Sequence, residues 1–449
     1  MLYHSTNSQS PPLTFSQALL QGQAPDKGLY MPEIIPRLSE HEIRRFGRMD
    51  YHKMAAVLMG RFIGDEIPRD VLDHLTREAY DFDIPLETVE KNRYVMRLDR
   101  GPTASFKDFA ARMMARLMNH YLKREKKRLL ILTATSGDTG SAISHAFLGL
   151  DRIRVVVLFP VSEVTKRQRK QMTTLGQNIT VLGLDGKFDD CQTLVKQAFA
   201  DPVLRNLNLS SANSINIGRL IPQMVYYFYA WSRLVKPGEK IIFSVPSGNF
   251  GDMMGGVLAM KTGLPVEKFI IAVNGNDAFP VYLKTGRYEK IDPSRNCLSS
   301  AMNVGHPSNL ARLVALYNGV MDEKGIVHRE ADLVLMQKDI WSVSVDDQTT
   351  RETIKSCWEK YQVLLEPHGA VGWAGLQQYL SEHPVSEDQV CVSLETAHPA
   401  KFPEEIRQLL GVDPELPPGL AGIEEKTENY NMLPTNYAAF KDYLLSNFS

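Results

Sequence analysis

One lysine stands in an unusual setting. In GPTASFKDF, Gly101 to Phe109, Lys107 opens an amphipathic stretch between Phe106 and Phe109. Desolvation there destabilises an ammonium, lowers its pKa and frees the amine for Schiff-base chemistry. On spacing alone a snorkelling lysine is the commoner outcome. The loop TATSGDTGS, Thr133 to Ser141, offers glycines for close backbone approach and the hydroxyls of Thr135, Ser136 and Thr139. The helix N-terminus after it favours a carboxylate or phosphate. A tight turn with a Ser/Thr cap is the alternative. SGNFGD, Ser247 to Asp252, repeats that logic, with Gly248 and Gly251 leaving backbone N–H groups accessible. It reads as a phosphate cradle, yet it lacks the GK[ST] ending of a P-loop. In SANSINIGR, Asn213, Ser214, Asn216 and Arg219 cluster. A helix beginning near Ile217 puts Arg219 in its first turn, where an anionic partner would offset the unfavourable dipole. TAHPAKF, Thr396 to Phe402, contains His398, although a lone histidine beside proline is more often structural. The chain has no HExxH, paired CxxC, GxSxG or GxGxxG pattern.

Most of these loops follow short apolar runs. Leu129–Leu132 precedes TATSGDTGS, Ile241–Val245 precedes PSGNFGD, and Val390–Leu394 precedes ETAHPAKF. Val155–Phe159 and Phe269–Val273 are similar runs. Near-continuous apolarity over strand length predicts strands covered on both faces, as in parallel sheets, and ligands gather beyond the carboxyl ends of such strands. A helix is predicted from about Phe106 to Leu122, with Phe109, Met113, Leu117 and Tyr121 on one face. The run KREKKR at its end reads as a solvated terminus. A last helical patch carries Tyr437, Phe440, Tyr443 and Leu444. The alternation predicts an α/β protein, and the first 95 residues, with few strand runs, read as an appended domain.

The chain has 449 residues, 43% of them apolar and 23% charged, which fits a large globular core and excludes a disordered chain. Fifty-one basic residues against 52 acidic ones give no polyanion-binding surface, so nucleic acid is not an expected partner. No apolar stretch reaches the ~20 residues of a membrane span, and the N-terminus has no secretory pattern. Four scattered cysteines suit a reducing cytoplasm.

Taken together, TFSQALLQG, DKGLYMPEIIP, FIGDEIP, GPTASFKDF, TATSGDTG, SANSIN, VPSGNFGD, EPHGAVG and TAHPAKF resemble the threonine synthases. These are pyridoxal 5'-phosphate enzymes of the tryptophan-synthase-β fold type, fold type II. The resemblance implies two parallel-sheet α/β domains with an appended N-terminal domain. Residues 1–95 would form the appended domain, 96–127 and 211–449 the large cofactor-binding domain, and 128–210 the smaller one. It implies that Lys107 forms the Schiff base and shuttles protons. It assigns Ser247, Gly248, Asn249, Phe250 and Gly251 to the cofactor phosphate, and Thr396 to the pyridine nitrogen. TSGDT would hold the substrate carboxylate through Thr135, Ser136 and Thr139. Asp138 would lie near the cofactor's 3'-oxygen, where a carboxylate needs a shared proton. Asn213, Ser214 and Arg219 would bind the phosphate of O-phosphohomoserine, which water converts to threonine and phosphate. A phospho-lyase releasing 2-oxobutyrate would use the same motifs, and a non-catalytic anion-binding protein is a third reading. Three departures from the family pattern are Arg100, Ser105 and Gly369.

Overall fold

The computed structural model describes residues 1–449. Two mostly parallel sheets organise the chain. The first has six strands in the order Ile340–Ser344, Val266–Val273, Ile241–Pro246, Val390–Glu395, Arg93–Arg97, Leu86–Glu90. All neighbours are parallel except the final hairpin pair. The second has five parallel strands in the order Asn431–Leu433, Ile179–Leu184, Ile153–Pro160, Leu129–Ala134, Leu209–Ser211. Every residue of Leu129–Ala134, Ile241–Pro246 and Val390–Glu395 is buried. Helices cover both faces of these strands, so their sequences are continuously apolar rather than alternating.

The helix Lys107–Glu125 joins the two sheets. Its Phe109, Met113, Met114, Leu117, Met118 and Tyr121 are fully buried, so the methionines serve as core packing. Lys126, left-handed at φ 55°, ends it, and the basic run beyond is exposed.

Two expected boundaries are corrected. The N-terminal unit, a three-stranded sheet of Leu2–Ser5, Leu13–Thr14 and Tyr30–Pro32 with helices up to Ala79, stops short of residue 95. Leu86–Glu90 and Arg93–Arg97 form a hairpin instead, and its second strand pairs with Val390–Glu395. The tail also departs from the expected large domain. Asn431–Leu433 pairs with Leu182–Leu184, covering what would be an open edge of the five-stranded sheet. The helix Tyr437–Phe448 then buries Phe440 and Leu444 against Leu194, Val195 and Leu433.

Phe440 is fully buried in that second core. Phe440→Ala should therefore lower stability by about 3–5 kcal/mol. Urea unfolding followed by circular dichroism checks this, and an unchanged midpoint would show that the tail is not integral.

Candidate active site

Lys107 is placed by a backbone clip. The N–H of Phe106 donates to the Thr396 carbonyl at 2.9 Å, and the His398 N–H donates to the Ala104 carbonyl at 3.0 Å. Ser105 and Ala397 form the bridge between them. Ala104 adopts φ 55°, turning the chain into the helix that starts at Lys107. Asp108, in the first turn, accepts from the N–H of Thr103 at 2.8 Å and its hydroxyl at 2.7 Å. The helix that carries the amine thus starts where the strand Val390–Glu395 ends, next to the Thr396 backbone. Its side chain is 14% exposed, and its Nζ lies 4.6 Å from the Phe106 ring centroid. Burial lowers its proton affinity; Asp138 and Glu366 oppose that effect, while Lys401 and Arg219 add to it.

The five-stranded sheet brings TSGDT to the same place. Gly137 adopts φ 127°, and a Cβ there would meet the Gln168 side chain at 2.7 Å. The Thr135 hydroxyl accepts from the N–H groups of Gly137 at 2.9 Å and Gly140 at 2.8 Å. It therefore holds the turn, as the capping alternative required, while Ser136 and Thr139 stay half-buried. Asp138 is buried, with one carboxylate oxygen 3.9 Å from the Lys107 amine. Its other oxygen accepts from Lys401 Nζ at 2.7 Å and Gln168 Nε2 at 2.9 Å. Burial would raise the Asp138 pKa, but the Lys401 and Lys107 charges outweigh it and hold the carboxyl well below the usual range. Sequence reasoning did not single out Lys401 or Gln168. Only the position of Lys401 inside TAHPAKF offered a signal.

SGNFGD links the strand Ile241–Pro246 to the helix Gly251–Thr262. A Cβ on Gly248 would lie 2.9 Å from the Ala301 carbonyl oxygen and 3.0 Å from Met302 Cα. Phe250 takes φ 63° and packs on Phe279. The Ser247 hydroxyl donates to Val245, and Asn249 accepts from Ser308 N–H and Asn309 Nδ2. Asp252 is held by the hydroxyls of Tyr226 and Tyr227 at 2.5 and 2.7 Å, and burial pushes its pKa up to about 6.

SANSINIGR packs against this loop, with Ser214 Cβ 3.2 Å from where a Gly251 Cβ would sit. Asn213 donates to the Ala134 carbonyl at 3.0 Å, and Ser214 shares a 3.4 Å hydroxyl contact with Ser308. Asn216 accepts from Gly218 N–H and donates to Leu19 of the N-terminal unit. Arg219 is 3% exposed and donates to Ala212, but its Nε has no partner. Burial brings its pKa down to about 10. Arg312, unmarked by any sequence motif, is wholly buried. Its guanidinium donates to the carbonyls of Tyr30, Ser214 and Ile215 and to Asn309 Oδ1, fixing this segment.

Other candidates have structural roles. His398 Nδ1 accepts from Ala400 N–H, and burial brings its pKa down to about 3. Arg100 is largely exposed and lies 3.6 Å from Asp99. Gly369 leaves space that the Glu395 carboxylate fills, since a Cβ would fall 1.5 Å from Glu395 Oε2.

These features suit pyridoxal phosphate. A desolvated amine, a glycine cradle at a helix start, the unpartnered buried Ser105 hydroxyl and a neutral Thr396 hydroxyl are set around the carboxyl ends of the neighbouring strands Ile241–Pro246 and Val390–Glu395. Arg219 Nε is a buried donor without a protein partner. Fold and site define a pyridoxal-phosphate enzyme of fold type II. Residues 84–396 match the family "Pyridoxal-phosphate dependent enzyme". Residues 2–80 match "Threonine synthase N terminus", and 369–444 match "Threonine synthase, C-terminal". The chain is 38% identical to the threonine synthase of Escherichia coli K12, over 99% of this chain and all of that protein. The crystal structure of pyridoxal-phosphate-bound threonine synthase from Brucella melitensis superposes with a TM-score of 0.92 at 36% identity. It covers 100% of this chain and 99% of its own. Yeast threonine synthase gives 0.90 at 30%, covering 99% and 98%. The chain belongs to the threonine synthase family.

Because backbone atoms crowd Gly248, Gly248→Ala should shift the loop and weaken cofactor affinity about tenfold or more, a loss of roughly 1.4 kcal/mol. Fluorescence titration of the apoenzyme with pyridoxal phosphate measures it. Unchanged affinity would remove this loop from the cofactor site.

Proposed function

We propose that the reaction is the conversion of O-phosphohomoserine and water into threonine and phosphate. The observation that carries this reading is the buried Arg219, with its unpartnered Nε, close enough to the desolvated Lys107 amine for its charge to act on it. A dehydratase acting on an uncharged hydroxyl would have no use for that cation.

Lys107 would hold the cofactor. Backbone donors of Gly248, Asn249, Phe250 and Gly251, with Ser247 behind them, would hold its phosphate. The Thr396 hydroxyl would face the pyridine nitrogen. When bound, pyridoxal phosphate supplies an electron sink beside the carbon bearing the substrate's amino group. Arg219, Asn213 and Ser214 bind the substrate phosphate, and Arg219 suits a departing dianion because its planar fork donates in two directions. Ser136 and Thr139 face the substrate carboxylate from the TSGDT turn that Thr135 holds. Lys107, neutral once released by the substrate's amine, takes a proton from the α-carbon and then one from the β-carbon, and returns one to the γ-carbon after phosphate leaves and one to the α-carbon after water adds at the β-carbon. The two sheets close over the cleft and keep water out until its addition at the β-carbon. No helix is long and apolar enough to cross a membrane, and the four cysteines are free. The free cysteines support a cytoplasmic setting.

Two experiments test the assignment. Lys107→Ala should lower turnover by about a thousandfold or more, since acid–base transfer contributes roughly 10²–10⁴. Borohydride should fix the cofactor to Lys107 in the natural protein, and label on another lysine would refute the role. Arg219→Ala should cost about 2–4 kcal/mol of transition-state stabilisation in kcat/KM. Inorganic phosphate should then compete poorly with substrate, while the cofactor absorbance persists. Release of the cofactor instead would assign Arg219 to the wrong phosphate.

A further inference from the structure

Two lysines converge on one buried carboxylate. Asp138 begins the helix Asp138–Phe147 on the five-stranded side of the cleft. Lys401 lies in the short turn Pro399–Lys401 that follows the last strand of the six-stranded sheet. Both are enclosed, at 2% and 0% exposure, and their ion pair is 2.7 Å long. Asp138 uses one oxygen for Lys401 and for Gln168 Nε2, leaving the other toward Lys107 at 3.9 Å. The Lys401 ammonium makes its side-chain hydrogen bond to Asp138 alone.

A buried ion pair carries a large desolvation cost, and an apolar pair of similar shape would often be as stable. The arrangement therefore calls for a reason beyond stability. With Asp138 alone, the carboxylate would pair with Lys107 and hold its amine protonated. An amine so held can neither attack a carbonyl nor accept a proton. Lys401 takes the closer position on the carboxylate, with a hydrogen bond, and Lys107 is left at the longer distance.

We propose that Lys401 is the permanent counter-ion of Asp138, a positioning residue that occupies the carboxylate and leaves the Lys107 amine free to react. This rests on Lys107 being the working amine. It also answers how a carboxylate is tolerated at a position near the cofactor's oxygen. Its charge is balanced by the protein itself, without a proton borrowed from the cofactor. The charged groups acting on Lys107 are Asp138, Lys401, Arg219 and Glu366, and Asp252 also feels its charge. Around Asp138 they are Lys401 and Lys107, with neutral Gln168 completing the shell.

The test reads the amine directly. Competitive acetylation of the full-length apoprotein with acetic anhydride across pH, followed by peptide mass spectrometry, gives the midpoint for Lys107. Lys401→Met should raise that midpoint by about one pH unit, a tenfold loss of reactive amine at fixed pH. Adding Asp138→Asn to Lys401→Met should bring it back down. Lys401→Arg, which keeps the cation, should stay close to the natural value. Should Lys401→Met fail to fold, Asp138→Asn alone must lower the midpoint, because Lys107 then faces an unbalanced Lys401. A Lys107 midpoint that Lys401→Met leaves in place, or that Asp138→Asn leaves in place, overturns the proposal. Borohydride fixation in the natural holoenzyme separates the two levels. Label away from Lys107 defeats the working-amine reading, whereas label on Lys107 with an unmoved midpoint defeats only the role of Lys401.

Discussion

The site depends on the backbone clip between Ala104–Phe106 and Thr396–His398. Its two segments are almost 300 residues apart in sequence. The clip converts the end of a central strand into the start of the long helix. It thereby fixes the backbone leading into Lys107 against that of Thr396. Main-chain hydrogen bonds do this well, because the geometry survives changes of side chain and leaves the functional groups free. A flexible loop carrying Lys107 would have to order itself at each turnover, at a cost in conformational entropy.

The second constraint is the meeting of two sheets. The six-stranded sheet contributes the amine, the glycine cradle and Lys401, and the five-stranded sheet contributes Asp138. The highly polar helix Lys166–Thr173 binds them together. Its Gln168, Lys170 and Gln171 are buried despite their polarity, because Gln168 donates to Asp138 on the same side, Lys170 to the Glu424 and Lys426 carbonyls of the tail, and Gln171 to the Thr103 carbonyl before the long helix. Arg167 reaches the Ala400 carbonyl beside Lys401. The N-terminal unit takes part as well. Carbonyls of Leu19 and Tyr30 accept from Asn216 and Arg312, so this unit braces the segment that carries Arg219.

The central strands were legible because burial on both faces leaves a continuous apolar run, which no other element of that length shows as clearly. Edge and half-buried strands were not. Ile340–Ser344 carries serines that satisfy themselves on neighbouring carbonyls, and Arg93–Arg97 holds two arginines, one of them in a buried acidic network. The composition of the glycine loops left an anion site and a plain capped turn open together, and the phenylalanine neighbours of Lys107 marked it without deciding against a snorkelling side chain. Arg312 gave no such notice, and Lys401 only its place inside TAHPAKF. Their roles come from partners far along the chain, and a local pattern carries no record of those. The place of the C-terminal tail was hidden for the same reason, since a three-residue edge strand has almost no sequence signature. Gly369 became intelligible only beside Glu395, whose carboxylate occupies the space a side chain would need.

The central claim is that this cleft couples phosphate departure to water addition on one substrate. The direct measurement is product analysis with O-phosphohomoserine in ¹⁸O-labelled water, by mass spectrometry of the amino acid and assay of free phosphate. The account predicts threonine carrying one labelled oxygen on its β-hydroxyl, formed in equal amount with unlabelled phosphate. Release of 2-oxobutyrate and ammonia in place of threonine, or label in the phosphate, would contradict it.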